Sequence, residues 1–184
     1  EAALDGRQSS TIFIPELAKD ILEQIVFEAR KSEFVDVKSG VSARLSITAF
    51  ENLVSTAERR LLHSGDDKTG IRMSDFIGII PAITGKIELV YEGEQEGAYS
   101  VALTLLGSAI KTLYSKYFPK IEKLEKQGVE TPYDEIVSWF FNTSDDFEIL
   151  DDIQEKDYKI ILEKVKPLSN FIKKFKEDLQ PNEV

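Results

Sequence analysis

Cysteine is absent from the 184 residues of this chain, and histidine, methionine and tryptophan occur once each. The lack of cysteine excludes disulfides, thiolate metal sites and cysteine nucleophiles, and it is compatible with the reducing cytoplasm, where we expect the protein to reside. No apolar run approaches the roughly 20 residues that span a bilayer, and the N-terminus lacks the pattern of a signal peptide. Because the sequence begins Glu1-Ala2-Ala3 without a methionine, we expect it to be a region of a longer protein.

Basic residues are also scarce relative to acidic ones. Lysine and arginine number 23 against 33 aspartates and glutamates, which gives a formal net charge of -10. An acidic surface repels phosphate backbones and anionic lipids, so we expect neither a nucleic-acid partner nor a membrane. Hydrophobic residues make up 42% of the chain, which is enough to form a folded core.

The spacing of the apolar residues predicts a mainly α-helical fold, a helical bundle with at most one short pair of strands. Helix-breaking and capping residues divide the pattern into segments. The predicted helices run from Pro15 to about Ser32, from Ser42 or Thr48 to about His63, from Ser74 through Ile80, from Ala98 to Tyr117, after Pro119, after Pro132, around Phe147, and from Gln154 to Leu179 with a break at Pro167.

Residues 85–97 are ambiguous, because Ile87, Leu89 and Tyr91 alternate with polar residues as in a strand, while continued helix is the competing interpretation. Glycines at 93 and 97 mark the most natural boundary in the chain. We therefore expect three parts: residues 1–11 as a tail or the stump of a preceding domain, residues 12–97 as a compact helical domain, and residues 98–184 as a C-terminal helical extension.

Three motifs that suggest catalysis or metal binding do not fit their patterns. His63 lies at the end of a predicted helix, where the helix dipole favours a positive charge, and no nucleophile is placed beside it. The triplet Thr84-Gly85-Lys86 lacks the earlier glycine and the following Ser or Thr of a phosphate loop. The acidic residues between Asp145 and Asp152 lack the spacing of a calcium loop. We therefore predict no catalytic residue and no metal site in this region.

An aromatic cluster occurs at Trp139, Phe140 and Phe141. Such residues more often form core than ligand platforms, and we expect them to be buried. Exposure of the cluster would instead indicate a binding site for a partner.

The segment Ser39-Gly40-Val41-Ser42-Ala43-Arg44 leads directly into the second predicted helix. Ser42 can cap that helix, and Arg44 falls in its first turn, near the positive end of the helix dipole. A guanidinium beside free backbone N–H groups suits a phosphate. An ordinary helix start with a surface arginine is the alternative.

This segment resembles the Gly-x-Ser-Pro-Arg start of a lid helix in MoxR-type AAA+ ATPases, a group related to the ATPase subunit of magnesium chelatase. Ala43 stands where that pattern has proline, and both residues suit a first helical turn. The resemblance extends to residues 71–76 and, more broadly, from Phe27-Glu28-Ala29-Arg30-Lys31-Ser32-Glu33 through Glu92-Gly93-Glu94, so that it covers about residues 12–97.

The resemblance implies that Arg44 is the sensor-2 arginine, which reaches from the lid to the γ-phosphate of ATP, and that Ser42 caps its helix. It also implies ATP and Mg²⁺ as cofactors of the full-length ATPase, a homo-oligomeric ring, and a partner with a von Willebrand-type domain; remodelling of a client or metal insertion would be its task. No part of the chain matches a Walker A, Walker B or arginine-finger motif, so we expect this region alone neither to bind ATP tightly nor to hydrolyse it.

The alternative is a stand-alone helical interaction module without any link to an ATPase. It depends on the C-terminal half, where the apolar stripe of Val101–Tyr117, the aromatic cluster and the final helix can form a groove for a partner.

Overall fold

The structure is a computed structural model, and it describes residues 6–38, 40–119, 131–143 and 148–175. The prediction of a mainly helical fold is confirmed. The helices are α1 (Gly6–Thr11), α2 (Glu16–Lys31), α3 (Leu45–Ser64), α4 (Ile80–Thr84), α5 (Tyr91–Glu96), α6 (Ala98–Tyr117), α7 (Asp134–Asn142), α8 (Glu155–Lys164) and α9 (Lys166–Phe175), with a 3₁₀ helix at Met73–Ile79. None of these helices combines the length and apolar character needed to cross a bilayer.

The chain divides into two compact units, Glu1–Leu113 and Tyr114–Val184. The division falls inside α6, whereas the sequence places a boundary before that helix. The predicted helices after Pro119 and around Phe147 fall on residues 120–130 and 144–147, which lie outside the described part of the chain, as does the expected end near Leu179.

The core of unit 1 is built by α2, α3 and α6, each of which turns one apolar stripe inward. In α2 the buried residues recur at helical spacing, from Ala18 and Ile21 to Ile25 and Ala29. The central residues of α3 and α6 complete the same cluster with the 3₁₀ helix and α4. Non-directional burial of apolar surface thus explains why the three long helices were predictable from their period.

The N-terminal segment differs from the expected tail at residues 1–11, because Gly6–Thr11 form α1 while residues 1–5 lie outside the described part. Arg7 of α1 pairs with Glu58 of α3. Strand β1 (Ile12–Phe13) then runs parallel to β2 (Thr69–Gly70), and Ile12 is buried. The charge pair therefore attaches this segment to α3, and the strand pair attaches it to β2.

The ambiguous stretch 85–97 is extended in its first half and helical in its second. Four backbone hydrogen bonds join residues 34–42 to residues 86–90, and the bridges are Val35–Leu89 and Val41–Ile87, both antiparallel. We call this set of bonds the bridge ladder. Ile87 and Leu89 belong to it, as the alternation predicts, whereas Tyr91 begins α5. The strand interpretation is thus correct for the first half of the stretch, and the helical interpretation is correct for the second half.

Unit 2 contains a cluster of aromatic rings, of which Phe171 is buried. Rings pack with centroids 4.7 to 6.4 Å apart, and the members are Tyr114, Phe118, Tyr133, Phe171 and Phe175. The hydroxyl of Tyr133 donates to the carbonyl of Pro119 at 2.6 Å. The final long helix is broken at buried Val165, directly before α9, in which Pro167 takes an early position where its missing N–H does no harm.

A buried ion pair fixes the centre of unit 1. The Arg60 guanidinium of α3 donates from Nε and Nη2 to both carboxylate oxygens of Asp75, at 3.0 and 2.8 Å. The same guanidinium donates to the Thr69 hydroxyl and the Gly70 carbonyl at 2.6 and 2.7 Å. Arg60 and Asp75 are only 7% and 2% exposed, so both charges depend on each other for compensation.

Asp75 also explains where the 3₁₀ helix begins. Its carboxylate accepts a 2.7 Å hydrogen bond from the backbone N–H of Arg72, the residue that precedes the helix. Ser74, predicted to be the cap, is instead the second helical residue. The cap is thus supplied from the third position of the helix, because that side chain is already held by Arg60.

Replacing Asp75 with Asn should lower the free energy of unfolding of unit 1 by about 3 to 5 kcal/mol, because it leaves the Arg60 charge buried without compensation. Hydrogen exchange of the α3 amides under native conditions measures this loss. Asp67→Asn is the matched control, since Asp67 is exposed, and its effect should stay within about 0.5 kcal/mol. Equal protection of α3 in both variants would contradict the assignment.

Candidate functional site

The junction before α3 holds the predicted site residue Arg44. Arg44 occupies the N-cap position, with φ -91° and ψ 0°, and the helix begins at Leu45. With Ser42 as the cap, the sequence predicts that the helix begins at Ala43, so the structure places its start two residues later. The side chain is exposed, and within the described residues its guanidinium makes no hydrogen bond or ion pair.

Ser42 does not cap α3 as predicted, which is a correction. The N-cap residue is Arg44, and no side chain makes a capping bond there. Ser42 Oγ accepts instead from the Arg44 N–H at 3.3 Å, and the Ser42 carbonyl accepts from the Leu45 N–H at 3.0 Å. The physical reason is the bridge ladder, which holds Val41 and Ser42 in extended pairing and delays the helix. Ser42 therefore shapes the turn that presents Arg44.

Lys86 is a residue of this site that the sequence did not reveal. Its carbonyl accepts a 2.9 Å hydrogen bond from the Ser42 N–H, which places its backbone beside the junction. Lys86 is half-buried, and within the described part of the chain its ammonium has no acidic partner. The triplet Thr84-Gly85-Lys86 is still not a phosphate loop. The alternation of Ile87 and Leu89, which indicates an extended segment, was the only sequence signal from which the pairing of Lys86 with Ser42 could have been predicted.

Arg44 and the backbone of Lys86 thus lie at the N-terminal end of α3. The α3 dipole adds partial positive charge at the N-terminus, where Arg44 lies. Arg44 offers a planar fork of donors, and Lys86 offers a compact ammonium. This combination is suited to an anion with several oxygens, such as a phosphate group.

Gly40 shapes the turn on the other side of Ser42. Its N–H donates to the Asp36 carbonyl at 2.9 Å, and its carbonyl accepts from the Glu88 N–H at 2.9 Å. A Cβ at this position would collide with the Asp36 carbonyl and the Val35 side chain. Only glycine therefore fits where the loop and the bridge ladder approach so closely.

The other polar residues singled out from the sequence do not assemble into a site. His63 is exposed in the last turn of α3. Asp145 and Asp146 lie outside the described residues, and Glu148, Asp151 and Asp152 are exposed. In the ranges that the structure describes, no three His, Cys, Asp or Glu side chains are grouped closely enough to hold a metal ion.

The aromatic cluster on α7 is a second correction, because it does not form core as predicted. No residue of α7 is buried, Phe141 is 84% exposed and Phe140 is 47% exposed, while Trp139 is half-buried and packs edge-on against Phe140. The aromatic cluster around Phe171 is formed by rings from other segments. Exposed large apolar side chains at this density are typical of a binding surface.

Comparison with known proteins gives no match. No protein-family model fits the sequence, no curated protein is significantly similar to it, and no solved structure matches it significantly.

Replacing Gly40 with Ala should destabilise the protein by about 1 to 3 kcal/mol, because the added methyl group must displace backbone at the junction. Thermal unfolding followed by circular dichroism measures the change. Gly107→Ala is the matched control, since a Cβ there meets nothing within 4 Å and the residue is exposed in α6. That variant should be stabilised by about 0.5 to 1 kcal/mol. Similar shifts for the two variants would refute the close-approach argument.

Proposed function

We propose that unit 1 is the lid of a MoxR-type AAA+ ATPase and that Arg44 acts as its sensor-2 arginine. The observation that supports this proposal is the exposed guanidinium of Arg44, without a partner in the described residues, at the N-cap of α3. Arg60 is buried and paired inside the unit, whereas Arg44 is exposed at the positive end of α3, where it can meet a ligand outside the unit.

The chemistry needed from such a lid is electrostatic. During phosphoryl transfer, negative charge spreads over the γ-phosphate oxygens, and a positioned guanidinium stabilises it. Lys86, whose carbonyl is hydrogen-bonded to the Ser42 N–H, carries a further positive charge in the neighbouring segment. The nucleotide and its Mg²⁺ would be held by an ATPase core, on this polypeptide or on another subunit, because this chain matches no Walker motif.

The proposal also gives the bridge ladder a role. The ladder ties the segment before Arg44 to the segment that leads into α5 and α6. A phosphate bound by Arg44 would therefore pull on a part of the lid that is attached to its long helices. The ring assembly, the von Willebrand-type partner, and remodelling or metal insertion as the output belong to the proposal through the family resemblance.

Arg44→Ala should reduce ATP turnover about a hundredfold in the ATPase that contains this region, because it removes one charged contact to the transferring phosphoryl group. Steady-state phosphate release measures the rate. The expected loss is mainly in kcat, and Arg44→Lys should recover only part of it, since the ammonium lacks the planar fork.

Arg59→Ala is the control for this experiment. Arg59 is exposed on the same helix, so the variant changes charge and size equally but leaves the junction intact. Turnover in Arg59→Ala should stay near the wild-type value, and Lys86→Ala should lie between the two. If Arg44→Ala hydrolyses ATP at the wild-type rate, the sensor-2 role is wrong.

A second candidate function, a helical interaction module, is favoured by a separate observation. Val137, Phe140 and Phe141 of α7 are all exposed apolar side chains. This function needs no ATPase core, and both functions can belong to the same protein.

These 184 residues contain no cysteine, so expressing them with Ser138→Cys introduces a single thiol on α7, nearly isosteric with the serine hydroxyl. If a partner covers α7 in cells, maleimide labelling of that thiol should be several-fold slower in cells than in the purified protein. Ser55→Cys, on an exposed position of α3, controls for access of the reagent to the cell interior. The same ratio of rates for both thiols would count against a partner at α7.

A further inference from the structure

Helix α6 carries an exposed apolar stripe beside the face that it buries in the core of unit 1. At about 100° per residue, Tyr99, Leu103, Gly107 and Ile110 fall within an arc of about 80° that contains no charged residue. Tyr99 and Leu103 are 60% and 37% exposed, Gly107 is exposed, and Ile110 is half-buried at the edge of the core. The intervals of four, four and three residues are those of a contact between two helices. We call these four residues the α6 seam.

Gly107 is the member of the seam that the packing of unit 1 does not explain. A glycine inside a helix destabilises that helix relative to alanine. At Gly78 and Gly93 a close neighbour accounts for the missing side chain, because a Cβ would collide with the Thr56 side chain and with the Phe34 carbonyl. At Gly107 a Cβ would meet nothing within 4 Å among the described residues. The close approach of another chain to the α6 backbone accounts for this glycine.

The shape of the seam fits an α-helix. Leu103 lies one turn before Gly107 and Ile110 lies one turn after it, so the apolar side chains flank a gap at the centre. Small residues at such a position let the backbones of two helices approach closely, and the side chains at the contact set the distance between the axes. A strand could not pair here, because the backbone groups along the side of a helix are already hydrogen-bonded.

The charges at the two ends of α6 favour a second copy of the same helix, in antiparallel orientation. Three exposed glutamates on α5 directly precede α6, and the last, Glu96, accepts a 2.7 Å hydrogen bond from the Ser100 hydroxyl. The charged residues of α6 are Lys111 and Lys116, both in its C-terminal half. Antiparallel pairing brings the glutamates of each copy toward the lysines of the other, and it also places the two helix dipoles in a favourable orientation.

The formal net charge of -10 opposes association of two copies. The seam itself is uncharged, however, so this repulsion acts at longer range, where salt screens it. A parallel pair of helices would instead place the glutamates before one α6 against those before the other, and such a juxtaposition of like charges is costly.

We infer that the α6 seam is the interface of a homodimer in which two α6 helices cross in antiparallel orientation near Gly107. Pairing centred between residues 106 and 107 sets Leu103 of one copy against Ile110 of the other, because both positions are equally far from that centre. The same surface serves both copies, so the contact closes at two chains and differs from the head-to-tail contact of a ring. The inference depends on neither Arg44 nor α7.

The first test measures the association of the full 184-residue chain. The seam is short, so the dimer is weak, and sedimentation velocity at about 0.15 M salt should show the average mass rising with concentration toward that of two chains. Leu103→Ser should raise the dissociation constant about tenfold, because each copy loses an apolar contact. Leu62→Ser is the matched control, at an exposed leucine of α3, and should leave the constant unchanged.

Gly107→Ala separates association from folding, because its two effects have opposite directions. Alanine favours the helix, so the melting temperature of the monomer, measured at low concentration, should rise. The methyl groups of the two copies keep the backbones apart, so the dissociation constant of the dimer should increase about tenfold. Ser55→Ala, on an exposed position of α3, also raises helix propensity and should leave the dimer unchanged.

A disulfide experiment tests the orientation. Thr104 and Lys111 are exposed on the same flank of the seam, and antiparallel pairing brings position 104 of one copy near position 111 of the other. Chains of these 184 residues with Thr104→Cys and with Lys111→Cys are mixed in a glutathione redox buffer. The mixed disulfide should exceed each of the two homodisulfides several-fold.

Four results would overturn the inference. A chain that stays monomeric at every concentration has no homodimer interface at the seam, and protection of the Thr104→Cys thiol in cells would then assign the seam to a different protein. Equal weakening by Leu62→Ser and Leu103→Ser would place the contact elsewhere. An unchanged dissociation constant in Gly107→Ala would remove the close crossing. An excess of homodisulfides would make the pairing parallel. None of these results affects the turnover test of Arg44.

Discussion

The organisation of unit 1 depends on one buried pair of charges, Arg60 and Asp75. The Arg60 guanidinium reaches from α3 to β2 and to the start of the 3₁₀ helix. It donates to four oxygen atoms, which belong to Thr69, Gly70 and Asp75. Both carboxylate oxygens of Asp75 accept hydrogen bonds from Arg60, and one of them also accepts a hydrogen bond from the backbone N–H of Arg72. Because β2 carries β1, the same pair indirectly holds the N-terminal segment. A hydrophobic pair could fill the space but could not specify these backbone positions.

The long helices could be predicted because their information is local. The apolar period of α2 and α6 repeats within a few residues, and the end of α3 is marked by Gly65, which takes the left-handed conformation with φ 72°. The start of the 3₁₀ helix could not be predicted in the same way. Its capping residue, Asp75, is held in position by Arg60, which lies 15 positions earlier in the chain. The local sequence at the helix start therefore does not indicate this pairing.

The candidate site shows the same division between local and distant information. Arg44 was found from the glycine, serine and arginine of one short segment. Lys86 was missed because it joins the junction through the antiparallel bridge of Val41 and Ile87, a pairing between distant residues. Residue type favours burial of Phe141, and only the tertiary structure shows that the rings packed around Phe171 come from other segments.

The bridge ladder also provides a route between Arg44 and α6 that is shorter than the route along the chain. Along the chain, Arg44 is separated from α6 by all of α3, β2, the 3₁₀ helix, α4 and α5. Through the ladder the route is one hydrogen bond, from the Ser42 N–H to the Lys86 carbonyl, followed by a short stretch of backbone. The elements from α3 to α4 therefore form a closed loop whose two ends meet at the site. A movement at Arg44 would reach α6 through α5 by this shorter route, without first deforming the elements of the loop.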